Sequence, residues 1–301
     1  MTELKAFESP EGNQGTIPPN LLLGTCSWNY PSWKGLVYTC TQKTAADYLG
    51  EYARHFDTAE IDSWFYKIPS PQEAAQYDQN TPDHFVFTTK VWQNLSLTHR
   101  RSAPGGPPGA ENPEFLSVDG FKRFHEATLP LADKIAVYMF EFEYLNKAKM
   151  ESVDRFIDRF GEFKAKIDPA IPLGIEIRNK NYLTPGYFRF LQEAGIIHVF
   201  SQKQYMPHFY TVFQTYRQYL GPTTVLRLLG GDRKAIEQQT GNTWNQIVDE
   251  KPDTRDIINF SVNTTFAPGR VIVNVNNHYE GSAPLTIQRI RRQFGLLGNP
   301  L

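Results

Sequence analysis

Apolar and polar positions along this chain follow two alternating rhythms. Short β-branched or aromatic runs predict eight strands: LLLGTCSW (21–28), AEIDSWF (59–65), FVFTTKV (85–91), KIAVYMFE (134–141), PLGIEIRN (172–179), IIHVFSQ (196–202), TTVLRLLG (223–230) and VIVNVNNHY (271–279). Stretches of helical spacing alternate with them: KTAADYLGEYARHF (43–56), SVDGFKRFHEATL (117–129), MESVDRFIDRFGEFKAKI (150–167) and TPGYFRFLQEAG (184–195), with PLTIQRIRRQF (284–294) after the last strand. Strands alternating with helices build parallel sheets, and eight such units predict an α/β fold, a single (β/α)8 TIM-like barrel over residues 21–301. Residues 1–20 carry acidic residues and prolines without an apolar core, and read as a flexible N-terminal leader. The segment RSAPGGPPGAENPE (101–114) falls between the third strand and its helix and reads as a long loop over one barrel end.

Side chains alternate between the two faces of a strand, so parity sorts barrel-inward from helix-facing positions. In the fifth strand Leu173, Ile175 and Ile177 share one face, and Gly174, Glu176 and Arg178 the other. The second strand sets Ala59 and Ile61 against Glu60 and Asp62, and the eighth sets Val271, Val273 and Val275 against Ile272, Asn274 and Asn276. The third offers Val86, Thr88 and Lys90, the seventh Val225, Arg227 and Leu229. Polar members gather toward the C-terminal strand ends, where barrels of this kind build their active sites.

Composition narrows the classes. A formal net charge of −1 gives no global attraction to nucleic acid or anionic membrane, and Arg289, Arg291 and Arg292 are spaced as a solvated helix face. A nucleic-acid partner is therefore not favoured. Two cysteines, Cys26 and Cys40, are too few for a disulfide framework or a cysteine-built zinc site and fit a reducing interior. No stretch approaches the roughly 18 apolar residues of a membrane span, which with the absence of a signal-peptide pattern predicts a cytoplasmic protein without a membrane partner. Oligomeric state is not readable from the sequence.

Glu60, Asp62, Lys90, Glu176, Arg178 and Arg227 all project inward on this parity. Buried charges must neutralise one another or face a wet cavity. Two readings stand: an ion network closing the barrel top, or a polar site with Glu176, Asp62 and Glu60 in acid/base work and Lys90, Arg178 and Arg227 stabilising negative charge. Gly230-Gly231 after the seventh strand suits an anion beside Gly231 and Arg227, or simply a tight turn. His99, His278, Glu60, Asp62, Glu141, Glu176 and Glu280 are the donors a divalent metal would draw on, but no local ligand pair such as HxH is present and a metal is not favoured. No organic-cofactor motif appears. Lys90 is also a minor candidate for Schiff-base chemistry. Ser27 lacks the G-x-S-x-G elbow of a serine hydrolase. The aromatic set Trp28, Tyr30, Trp33, Tyr38, Trp64, Tyr66 and Trp92 follows strands one to three, either to cover the core or to wall a pocket with flat faces.

The segments GTCSWNYPSWKGLVY, AEIDSWFYKIPS, FVFTTKVWQNLSLTH, PLGIEIRNKNYL, VLRLLGG and VIVNVNNHYEGSAP, in this order over residues 21–294, resemble the family of unknown function numbered 72, also called YecE-like. Its pattern maps onto Gly24 to Gly35, Glu60 to Tyr66, Lys90 with Thr98-His99, Glu176 with Arg178, Arg227 with Gly231, and Asn276-Asn277 with Gly281 and Ala283. The resemblance implies a TIM-like barrel and no settled reaction; a comparison with metal-dependent nucleases is one of barrel shape only. The chain departs from the pattern at MFEFEYL after the fourth strand, at Asp62 where asparagine is usual, and at Ser201-Gln202-Lys203 where an aspartate is common.

Together these features predict an enzyme, hydrolytic or lyase-like, acting on a small polar or anionic substrate such as a phosphate- or sugar-bearing molecule. Trp28, Tyr30, Trp33 and Tyr66 would form its wall, with His99, Asn276 and Asn277 orienting the ligand. The alternatives are a non-catalytic binder of nucleic acid or a sugar-phosphate, and a metal-dependent nuclease.

Overall fold

Eight parallel strands close into one barrel in the computed structural model, which describes residues 17–100, 109–264 and 269–297. They are β1 (Leu21–Cys26), β2 (Thr58–Ile61), β3 (Val86–Lys90), β4 (Ile135–Glu141), β5 (Leu173–Glu176), β6 (Ile197–Lys203), β7 (Thr223–Gly230) and β8 (Arg270–Val275). Each pairs with its sequence neighbours, and β8 closes onto β1 with Leu21 opposite Val271 and Gly24 opposite Asn274. The (β/α)8 expectation holds. Most of the leader, residues 1–16, and residues 101–108 of the long loop lie outside the described residues.

The expected helices are α1 (Ala45–Tyr52), α3 (Val118–Thr128), α4 (Val153–Lys164), α5 (Pro185–Glu193) and α9 (Ala283–Leu297). Four more complete the set: α2 (Pro71–Gln79), α6 (Phe209–Tyr216), α7 (Arg233–Thr240) and α8 (Thr254–Thr264). Local chemistry starts several of them. Thr44 and Asp47 form a capping box on α1, while the hydroxyls of Ser70, Ser117, Ser152 and Thr184 accept from the first-turn amides of α2, α3, α4 and α5.

Parity separates two apolar layers. Val86, Val137, Met139, Val199, Val225 and Ile272 fill the barrel interior, while Leu23, Ala59, Ile61, Phe87, Phe140, Leu173, Ile175, Phe200, Leu226 and Val273 face the helices. The inner layer stops below the C-terminal strand ends. Above it, buried Asn274 donates from Nδ2 to Thr88 Oγ1 at 2.8 Å, and the charged residues stand above that.

In the outer layer His198 of β6 packs against Tyr187, Phe188 and Phe200, with ring centroids 5.9, 4.8 and 4.6 Å away. Its Nδ1 has no hydrogen-bond partner among the described residues. Burial holds the imidazole neutral and pushes its pKa down to about 3. The unfolded chain carries a histidine titrating near 6.5, so below that pH it binds a proton the folded state refuses, and stability falls by about 1.4 kcal/mol per pH unit. In urea titrations, His198→Leu is expected to flatten the loss of stability between about pH 6.5 and 4.5 by about 2–3 kcal/mol. An acid limb identical to that of the wild type would show that the ring is hydrated when folded.

Candidate functional site

The C-terminal ends of five strands deliver Glu60, Lys90, Glu141, Glu176 and Arg227 to one place. Arg227 is its hub. Its Nε and Nη2 donate to Glu60 Oε2 and Oε1, both at 2.7 Å, a bidentate pair across the barrel. Its Nη1 donates to Glu141 Oε2 at 2.8 Å and also to Glu176 Oε2. Arg178 clamps the same two carboxylates from above, with Nη2 2.8 Å from Glu141 Oε1 and Nε 2.9 Å from Glu176 Oε1. Lys90 Nζ lies 2.5 Å from Asp62 Oδ1 and 3.0 Å from Glu141 Oε2, and 4.8 Å from the Phe65 ring centroid.

The network has two tiers. Glu60, Glu176 and Arg227 form a floor that is buried almost completely, their side chains 0, 1 and 3% exposed. Asp62, Glu141 and Arg178 form a rim that meets solvent, with 35, 16 and 19% of their side chains exposed. Asp62 and Arg178 lie past the ends of β2 and β5. The backbone has left extended geometry at Asp62 (φ −86°, ψ −30°), so parity no longer dictates its direction.

Burial raises the Glu60 carboxyl above the ordinary range despite the opposing charges of Arg227 and Lys90. Burial would raise Glu141 too, but Lys90, Arg227 and Arg178 outweigh it and hold that carboxyl well below its usual value. Lys90 is kept protonated: burial works against its charge, and Glu141 and Asp62 more than offset it. Lys203, at the end of β6, behaves oppositely. Burial and then repulsion by Arg178 lower its pKa, against the pull of Glu176 and Glu141. It forms no ion pair with any described residue. Burial, with Asp62 adding to it, raises the phenol of half-buried Tyr30.

The other sequence candidates scatter. Trp28 and Trp33 are core residues instead of wall. Ser27 adopts a left-handed backbone (φ 69°) directly after β1, which ends the alternation of the strand. Trp28 then packs edge-on against Tyr77 and donates from Nε1 to Ala45 O at 2.8 Å, and Trp33 packs between Tyr30 and Tyr38. Among the described residues the most exposed aromatic faces are those of Tyr66, Tyr144 and Tyr205, in the loops after β2, β4 and β6. Asn276 and Asn277 act as turn caps, their Oδ1 atoms accepting from His278 N and Ala283 N at 2.9 Å each. His99 Nδ1 lies 3.0 Å from Thr98 Oγ1, and the residue lines a separate cleft of about 570 Å³ with Trp92, Asn94, Arg100 and Asn112. A Cβ added at Gly231 would meet nothing within 4 Å; it is Gly230 (φ 83°) whose added Cβ would meet His278 O at 2.2 Å. The first amides of α7 are already taken by Asp232, whose Oδ1 accepts from Lys234 N and Ala235 N. That carboxylate disfavours an anion beside Gly231.

Glu141 was legible only as one carboxylate among many, yet it joins Lys90, Arg178 and Arg227. No local motif marks it; the signal was its place as the final residue of a strand, on the parity of Val137 and Met139. Among the described residues no three His, Cys, Asp or Glu side chains are arranged to hold a metal ion. Glu60, Glu141 and Glu176 converge on the Arg227 guanidinium. No helix of the described residues is long and apolar enough to cross a membrane.

A family model described as "Protein of unknown function DUF72" matches residues 22–300. Among curated proteins, the UPF0759 protein YunF of Bacillus subtilis is 26% identical over 159 residues, 50% of each chain. The UPF0759 protein YecE of Escherichia coli K12 is 23% identical over 168 residues, 55% of this chain and 51% of that one. These alignments thus span about half the length of the curated relatives. A DUF72 family crystal structure from Enterococcus faecalis superposes with a TM-score of 0.65 at 18% identity, covering 90% of this chain and 95% of the other. One from Thermotoga maritima gives 0.62 at 18% identity, covering 91% and 98%.

Proposed function

Because this chain belongs to the DUF72 family, whose description carries no reaction, we propose from the geometry alone that it is an enzyme acting on a small polar or anionic substrate at the C-terminal barrel mouth. The observation that carries this reading is the two-tier ion network. A purely structural cluster needs only the floor, in which Arg227 answers Glu60 and Glu176 out of water. The rim adds Asp62, Glu141 and Arg178 where solvent reaches them, and partly solvated charges at the C-terminal strand ends are the raw material of acid/base and anion-binding sites.

Roles follow from access. Arg178 can turn one guanidinium edge to a carboxylate or phosphate on the substrate while Glu176 and Glu141 hold it in place. Asp62, the most exposed carboxylate of the set, is placed to take or give a proton, and Lys90 at 2.5 Å orients it. Glu60, Glu176 and Arg227 supply a fixed electrostatic floor. Tyr30 closes one side, and the exposed Tyr66, Tyr144 and Tyr205 offer flat faces around the rim.

Thermal-shift titration with a panel of small phosphates and carboxylates tests the reading, with turnover followed by NMR. A ligand at about 100 times its Kd adds about 2.7 kcal/mol of stability. Arg178→Met is expected to weaken binding about 10- to 100-fold, the worth of one charged hydrogen-bonding contact. If no anion raises Tm, or the variant responds as the wild type does, the assignment fails.

A further inference from the structure

Of the cations Lys90, Arg178, Arg227 and Lys203 carried by β3, β5, β7 and β6 or the residues just past them, three are bound into ion pairs: Lys90 by Asp62 and Glu141, Arg178 by Glu141 and Glu176, Arg227 by Glu60, Glu141 and Glu176. Lys203 is the exception. It is the last residue of β6, follows a register shift against β7 that places it opposite Gly230, and is half-buried. It shares the parity of Val199, which fills the barrel interior, and of Ser201, which pairs with Arg227, and its strand lies between β5 and β7, so its side chain leaves the sheet toward the same mouth; Arg178, Glu176, Glu141 and Arg227 act on its charge there.

An ammonium tied to two carboxylates, as in Lys90, has its lone pair protonated and its donors committed. That rules Lys90 out as an amine nucleophile on this geometry. A half-buried amine without a carboxylate partner among the described residues is in the opposite position, because burial and then the Arg178 charge disfavour its charged form.

We propose that Lys203 is a nucleophile that condenses with the carbonyl group of a small aldehyde or ketone whose carboxylate or phosphate is held by Arg178. This rests on the reading of the mouth as the site of a small anionic substrate, and names the class of that substrate. The ammonium first releases a proton to solvent at the open mouth. The nitrogen lone pair then forms the N–C bond as the C=O π electrons move to oxygen, which is protonated to give a carbinolamine. That hydroxyl leaves as water as nitrogen forms the C=N bond. In sum, one ammonium and one carbonyl give one protonated imine and one water, with no change of oxidation state. The imine withdraws electrons from the adjacent carbon, so the bond broken next would be C–H or C–C, with Asp62 placed to handle the proton.

The test treats the full chain with pyruvate, dihydroxyacetone phosphate or neutral dihydroxyacetone, each with sodium borohydride, and maps the adducts by peptide mass spectrometry. The expected result is a reduced adduct on Lys203 in excess over every other lysine. It should appear with pyruvate if Arg178 holds a carboxylate and with dihydroxyacetone phosphate if it holds a phosphate, and be weaker with the neutral ketone. It should be lost in Lys203→Arg and Lys203→Gln and reduced in Arg178→Met. Labelling spread over surface lysines without Lys203, or no adduct from either anionic probe, overturns the proposal. If anions still raise Tm in that case, only the imine falls and the acid/base reading stands; if they do not, both fall.

Discussion

Arg227→Leu is expected to cost about 3–5 kcal/mol of folding stability at neutral pH, the penalty for removing one partner from a buried ion cluster. Leucine fills part of the space but strips buried Glu60 of its bidentate partner and leaves buried Glu176, with Glu141, to Arg178 at the rim. On acidification the deficit should shrink. In the wild type, the cations hold Glu141 well below its usual pKa, so this group stabilises the fold above its unfolded value and the benefit is lost as pH falls through the folded value. In the variant Glu60, already raised by burial, loses Arg227, the largest charge opposing that rise, and its pKa climbs further above that of the unfolded chain. The folded state then binds more protons than the unfolded one, and acid stabilises it in relative terms. Denaturant titrations of both proteins from about pH 7 to 4.5 should converge; the His198 contribution is common to both and cancels. Arg227→Lys should recover only part of the loss, because one ammonium cannot serve three carboxylates in fork geometry. A cost under about 1 kcal/mol, typical of an exposed pair, would mean that the floor is hydrated.

Gly24→Ala should be comparably severe for a different reason. A Cβ at Gly24 would lie 1.8 Å from Thr58 O and 2.6 Å from Thr58 C. Both are backbone atoms of the neighbouring strand, directly across the β1–β2 ladder where Gly24 pairs with Thr58. Thr58 is itself held: its carbonyl accepts from the Tyr52 hydroxyl at 3.0 Å, and the Tyr52 hydroxyl oxygen in turn accepts from Thr25 N at 2.9 Å. A flexible side chain could swing aside, but here two paired strands would have to part. The expected cost exceeds about 4 kcal/mol, read as loss of soluble protein or a large drop in the denaturation midpoint. Gly231→Ala is the control, since nothing lies within 4 Å of its Cβ position, and should change stability by no more than about 0.5 kcal/mol. A folded Gly24→Ala protein with an unchanged midpoint would contradict the β1–β2 packing.

The fold and the floor of the site were legible in the chain because both rest on short-range periodicity. Alternation with period two is a property of an extended backbone, so Glu60, Lys90, Glu176 and Arg227 fell on the inward face before any neighbour was known. Even helix α2 was signalled locally, by Ser70 followed by Pro71 at its first turn. Beyond the strand ends that rule lapses. Where Asp62 and Arg178 point, and whether Trp28 and Trp33 wall a pocket or join the core, depends on turns such as the left-handed Ser27, which no alternation encodes. The tertiary structure alone decided which charges answer which. Three carboxylates arrive at Arg227 from β2, β4 and β5, and Lys203 is left over because the nearby acids are already committed. Charge pairing acts through space over a few ångströms between residues far apart in the chain, so it comes into being only when the barrel closes.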